Sequence, residues 1–102
     1  MVLALSGHTI DIAPSGDRAL ELYQPGKYDL VISDYSLGQM NGLALARLIK
    51  ERCITQPIIL ITAYAESMAM QKELLGDIDF MLGKPFALAQ LNDALTAVFA
   101  AP

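Results

Sequence analysis

Short apolar runs alternate with amphipathic stretches along the whole chain. Residues 1–6 read as the last turns of a helix closed by Gly7, a residue type that suits the left-handed cap. His8–Ala13, with β-branched residues in rough alternation, predicts a strand. Ser15 is placed to cap a helix running to about Gln24, with Ala19, Leu20 and Tyr23 on one face, and Pro25-Gly26 stops it. Asp29–Ser33 is a buried strand. After a loop from Asp34 to Asn41, a helix over Gly42–Arg52 turns Leu45, Leu48 and Ile49 to the core. Pro57–Thr62 is the next buried strand, Glu66–Leu75 a helix stopped by Gly76, and Ile78–Leu82 the last strand. Leu88, Leu91, Leu95, Val98 and Phe99 mark the core face of a C-terminal helix. Strands separated by helices cannot be hairpins, so the pattern predicts an α/β fold with a parallel sheet and right-handed crossovers. In such sheets, ligands bind beyond the carboxyl ends of the strands.

Composition narrows the picture. The 102 residues make one domain, and 54% hydrophobic against 18% charged residues excludes a disordered chain. The single cysteine, Cys53, excludes a disulfide scaffold. No apolar run is long enough to span a membrane, and the start, Met-Val-Leu-Ala-Leu, lacks the basic flank of a signal peptide. A cytoplasmic location is therefore expected. A net charge of −4 with no Lys/Arg cluster argues against direct nucleic-acid binding.

Three strands end in residues able to handle a phosphoryl group. The first ends at Ser33-Asp34, the second at Thr62-Ala63, and the last shortly before Lys84-Pro85. On neighbouring strands they would share one rim. Asp34 would be a nucleophile forming an acyl phosphate. Thr62 would donate a hydroxyl hydrogen bond and Lys84 would neutralise a phosphoryl oxygen. Pro85 is a candidate cis-proline that would aim Lys84 inward. Taken singly, Asp34 reads as a turn former, Thr62 as a strand end satisfied by backbone, and Lys84 as a solvated charge. Their appearance together at successive strand ends carries the functional reading.

The ordered set Tyr28–Asp34, Leu37 with Met40-Asn41-Gly42, Pro57–Ala63 and Lys84-Pro85-Phe86, preceded by Ser6–Ile10, Ala13 and Ser15-Gly16, resembles the receiver domain of two-component response regulators. The resemblance implies a flavodoxin-like three-layer fold and phosphotransfer to Asp34 from a histidine kinase or phosphotransfer protein. It implies Mg²⁺ held by Asp34 and the backbone carbonyl of Ser36, with Thr62 and Lys84 binding the phosphoryl oxygens and signalling its presence. Ser36 and Tyr64 fall where the family tunes hydrolysis, and the last two helices and last strand form the output surface. Such a domain is a phosphoacceptor, not a classical enzyme.

The sequence departs from that family in two places. It begins inside the family's first helix and so lacks the first strand and its acidic pair; Asp11, within a strand, cannot replace them. Mg²⁺ needs octahedral oxygen ligands, usually including more than one carboxylate, so binding weaker than millimolar and poor phosphorylation are expected. The switch position carries Met81 where the family often has an aromatic, while Phe80 reads as core. His8 and Cys53 read as structural, and Asp77 and Asp79 as loop residues rather than metal ligands. Two other functions compete. A phosphorylation-independent dimerisation or docking module would keep the scaffold without the chemistry. A haloacid-dehalogenase-type phosphohydrolase would need Asp-x-Asp, and here the residues are Asp34-Tyr35-Ser36.

The missing strand belongs in the middle of the family's sheet, which leaves a hole between His8–Ala13 and Asp29–Ser33. Buried unpaired amides cost about 1–3 kcal/mol each, so the gap must close. Direct pairing of the two flanking strands, or exchange between two chains, would close it. Both leave an apolar strip where the first helix would lie, so a homodimer is expected.

Overall fold

The computed structural model describes residues 1–7, 9–69 and 76–99. In chain order the elements are β1 (Val2–Ser6), β2 (Thr9–Ala13), α1 (Gly16–Leu22), β3 (Leu30–Asp34), β4 (Ser36–Leu37), β5 (Met40–Asn41), α2 (Gly42–Arg52), β6 (Ile58–Thr62), α3 (Ala65–Ala69), β7 (Phe80–Gly83) and α4 (Leu88–Phe99). Five strands form one sheet in the order β2-β1-β3-β6-β7, and β4 and β5 form a separate two-stranded ribbon inside the expected Asp34–Asn41 loop.

The segment expected to end a helix is the central strand. β1 runs antiparallel to both neighbours, with Val2 opposite Ala13 and Ser33, and Leu5 opposite Ile10 and Leu30. β3, β6 and β7 are parallel to one another, as the pattern predicts. The sheet is therefore mixed rather than wholly parallel. The gap closes neither by pairing β2 with β3 nor by exchange between chains; Val2–Ser6 fills it. A four-residue apolar run fits helix and strand periods equally, so the tertiary slot decides. Unpaired groups on β2 and β3 would be costly, and Gly7, at φ 59°, supplies the left-handed turn of a tight hairpin rather than a helix cap. Asp29 secures that turn: its carboxylate accepts from Gly7 N at 2.8 Å, and its own N–H donates to Leu5 O at 2.7 Å.

The two helix caps are local. Ser15 Oγ accepts from Arg18 N at 3.2 Å and Asn41 Oδ1 from Ala44 N at 2.8 Å. The bounds of α2 match the sequence reading; α1 stops two residues short of Gln24. The expected helix over Glu66–Leu75 is described only as Ala65–Ala69, and its remainder, like His8, lies outside the described residues. β7 starts at Phe80 rather than Ile78 because Asp79 is an anchor: its N–H donates to Ile58 O, and its carboxylate accepts from Ile58 N at 2.8 Å and Lys50 Nζ at 3.0 Å.

On one face of the sheet, α1 and α2 bury Ala19, Tyr23, Leu45 and Ile49 against Val2, Ala13, Val31 and Ile58. On the other, α4 packs Leu91, Ala94, Leu95 and Val98 against Leu30, Ile32, Ile59 and Leu82. Leu88 and Phe99, expected in this contact, are 72% and 55% exposed, because the buried arc centres on Ala94. The β2 end of this second face stays open: Ile10 and Ile12 are 56% and 60% exposed, and Leu3 and Leu5 are half-buried.

Candidate functional site

The parallel register sets three strand ends at one rim. Asp34 pairs with Ile61, and Thr62 with Gly83. The chain continues the ladder past the strands: Tyr35 N donates to Ile61 O and Lys84 N to Thr62 O, each at 2.8 Å. These bonds bring Lys84 back over β3, and its Nζ lies 2.9 Å from Asp34 Oδ1. The amino group of Met1 lies 3.2 Å from Asp34 Oδ2, at the end of β1 that reaches the same rim. The Lys84–Pro85 peptide is cis.

Partial burial disfavours the Asp34 charge, but hydrogen bonds from Lys84 and the Met1 amine outweigh it and hold the carboxyl below the usual carboxylate range. A carboxyl lowered in the folded state stabilises the fold above its unfolded value, near pH 4, and that contribution is lost as pH falls through the lower folded value. Lys84→Ala should raise the Asp34 titration midpoint, read from its carboxyl carbon by NMR. An unmoved midpoint would show that Lys84 does not govern the charge.

The loop after Asp34 is pressed against the start of α2. Gly42 N donates to Tyr35 O at 2.7 Å, and a Cβ built on Gly42 would lie 2.6 Å from the Asp34 carbonyl oxygen. Thr62 is buried; its Oγ1 accepts from Tyr64 N at 3.0 Å, which leaves its own proton to donate. Ser36 is exposed on β4, and Tyr64 is 61% exposed beside the rim. Met81 is half-buried opposite Leu60, and Phe80 packs on the core. The structure thus brings together Asp34, Lys84 and Thr62, leaves Ser36 and Tyr64 at the margin, and turns Asp79 to the scaffold. The steric demand at Gly42 and the anchoring by Asp29 were not apparent from residue type, because each depends on backbone atoms brought close by the fold.

The donors at this rim do not fit Mg²⁺. Among the described residues no three His, Cys, Asp or Glu side chains gather at one point. Asp11 accepts from the Tyr28 hydroxyl at 2.7 Å and lies 3.6 Å from Lys27 Nζ. Both Asp34 oxygens face cations instead, whereas the metal wants several anionic or neutral oxygens.

The sequence pattern of the response regulator receiver domain matches residues 1–96. The chain belongs to this family. The aerobic respiration control sensor protein ArcB of Escherichia coli is 33% identical over 89% of this receiver domain, which spans 12% of that protein. The transcriptional regulatory protein CusR of the same species is 35% identical over 87% of it, covering 39% of CusR. The receiver domain thus spans well under half of the curated relatives it matches. Among solved structures, the non-phosphorylated HemR receiver domain of Leptospira biflexa superposes with a TM-score of 0.76 at 30% identity, over 90% of this chain and 74% of that one. TrrA of Thermotoga maritima, solved with Mg²⁺ and BeF, gives 0.75 at 31% identity, over 86% and 75%. No helix of the described residues is long and apolar enough to cross a membrane.

Proposed function

We propose that this receiver domain accepts a phosphoryl group on Asp34 from a histidine kinase or phosphotransfer protein in the cytoplasm and signals through the face of α3, β7 and α4. The ion pair between Asp34 and Lys84 carries the reading: it sets a nucleophilic carboxylate beside a cation at the rim where three strands end. In the step, an Asp34 oxygen attacks the phosphorus and the bond from phosphorus to the donor imidazole nitrogen breaks. An acyl phosphate forms, and the imidazole, which carries a proton on its other ring nitrogen when the bond breaks, leaves neutral. Lys84 transfers its hydrogen bond from carboxylate to a phosphoryl oxygen, and Thr62 donates to another. Tyr64 and Ser36, at the margin, govern access of hydrolytic water, and Met81 occupies the switch position with a flexible side chain.

One observation favours a second reading, a docking module that works without phosphorylation: among the described residues no three His, Cys, Asp or Glu side chains gather to hold a metal ion. Either way, the exposed Ile10 and Ile12 support self-association. Incubation with radiolabelled acetyl phosphate and Mg²⁺ separates the two. Acid-stable but hydroxylamine-labile label on the wild type, lost completely in Asp34→Asn, supports the phosphoacceptor. Label retained in Asp34→Asn places the chemistry elsewhere, and an unlabelled wild type leaves the docking module.

A further inference from the structure

We infer that the free edge of β2 is the self-association surface, and that two copies pair their β2 strands antiparallel about a two-fold axis at Ile10. The inference rests on the self-association reading above and supplies its geometry.

β2 has no neighbour on its outer side among the described residues. Its backbone directions follow from the ladder. Bonded and non-bonded pairs alternate along an antiparallel pair. Asp34 N donates to Met1 O at 3.1 Å, so Met1, Leu3 and Leu5 turn their backbone groups to β3. Val2, Ala4 and Ser6 therefore bond to Ala13, Asp11 and Thr9. The free N–H and C=O groups of β2 thus belong to Ile10 and Ile12, the same two residues whose side chains are 56% and 60% exposed.

Natural edge strands are protected by lysine, proline, bulges or brevity. β2 has none of these. Its five residues pair with β1 without interruption, and it contains no lysine or proline. Asp11, its one charge, projects to the opposite face from the isoleucines, where Tyr28 and Lys27 hold it. The other edge, β7, has four residues and runs into Lys84. An unprotected edge is complementary to a second copy of itself, because each isoleucine offers one donor and one acceptor.

Side chains select the register. A two-fold axis normal to the sheet must pass through one residue and its symmetry mate. An axis at Asp11 sets two carboxylates directly opposite each other, which is repulsive. An axis at Ile12 puts Pro14, which has no N–H, across from an Ile10 that needs a partner. An axis at Ile10 pairs Ile10 with itself in a bonded position, sets Asp11 across from a Thr9 hydroxyl, and brings Ile12 level with His8, a residue type that, unlike Pro14, carries an N–H. The exposed isoleucines of both copies then join Leu3 and Leu5 in one continuous apolar strip.

Sedimentation equilibrium across a dilution series, with circular dichroism as a folding check, tests this. The wild type should be a dimer. Ile10→Lys, which opposes two ammonium groups at the axis, should remain folded and weaken the dimer on the order of 100-fold. In a Cys53→Ser background, Ile10→Cys should form an intermolecular disulfide on mild oxidation. A monomeric wild type overturns self-association altogether. A dimer unaffected by Ile10→Lys, or one in which Ile10→Cys fails to cross-link, overturns the β2 edge alone.

Discussion

Ala4→Pro should remove a large share of the domain's stability. Ala4 is the middle residue of β1, and its N–H bonds to Asp11 on β2 in the alternation that turns Leu3 and Leu5 toward β3. Proline removes that donor and orphans a carbonyl in the middle of the sheet, where no edge position can relieve it. The unsatisfied group and the steric clash together cost on the order of 3 kcal/mol. A small domain has roughly 5–15 kcal/mol in total. Urea denaturation followed by circular dichroism should show a large fall in midpoint. Ile10→Lys, one strand away but with an exposed side chain, should leave the midpoint close to wild type. An unchanged midpoint in Ala4→Pro would remove Val2–Ser6 from the sheet and reopen the gap between β2 and β3.

Gly42→Ala should damage stability and phosphoryl chemistry together. The added methyl would lie 2.5 Å from Leu60 Cδ1, 2.6 Å from Asp34 O and 3.1 Å from Tyr35 Cα. Leu60 can rotate, but the other two atoms are backbone, and Gly42 N is also bonded to Tyr35 O. Relief therefore requires α2 and the segment after Asp34 to separate, which moves the carboxylate relative to Lys84. Overpacking of this kind costs about 1–3 kcal/mol, and each kcal/mol lowers the melting temperature by about 4–8 °C in a domain of this size. Labelling by acetyl phosphate should slow by more than the fraction unfolded accounts for. A variant with normal melting and normal labelling would show that the rim tolerates movement at Asp34.

The parts of the molecule legible in the sequence are those whose cause is local. Asn41 caps α2 three residues ahead, and the bounds of that helix follow from its own periodicity. Asp34, Thr62 and Lys84 could be grouped because each follows a parallel strand, and parallel strands deliver their ends to one rim. Val2–Ser6 was not legible in this way. Its four apolar residues satisfy either period, and Gly7 serves a helix cap as readily as a hairpin. What decides between them is an empty pairing position between two strands whose partners lie elsewhere in the chain. The exposure of Leu88 and Phe99 had a similar origin: both follow the helical spacing, but they are the two end residues of α4, whose burial centres on Ala94. Asp29 and Asp79 act on the N–H groups of Gly7 and Ile58, contacts that residue type alone does not disclose.

The reversed direction of β1 has a practical consequence for attachments. Because it runs against β3, its first residue lies beside Asp34 and its last at the far end of the sheet. A peptide, fluorophore or affinity tag joined ahead of Met1 therefore emerges over the phosphoacceptor rim, where it turns the Met1 amino group into a neutral amide and brings its own charges instead. α4 leads away from that rim, so a label placed after it sits at the remote end. Probes of Asp34 belong on the carboxyl-terminal side, while a short acidic extension at the amino terminus would bring carboxylates within reach of Asp34 without altering a single internal residue.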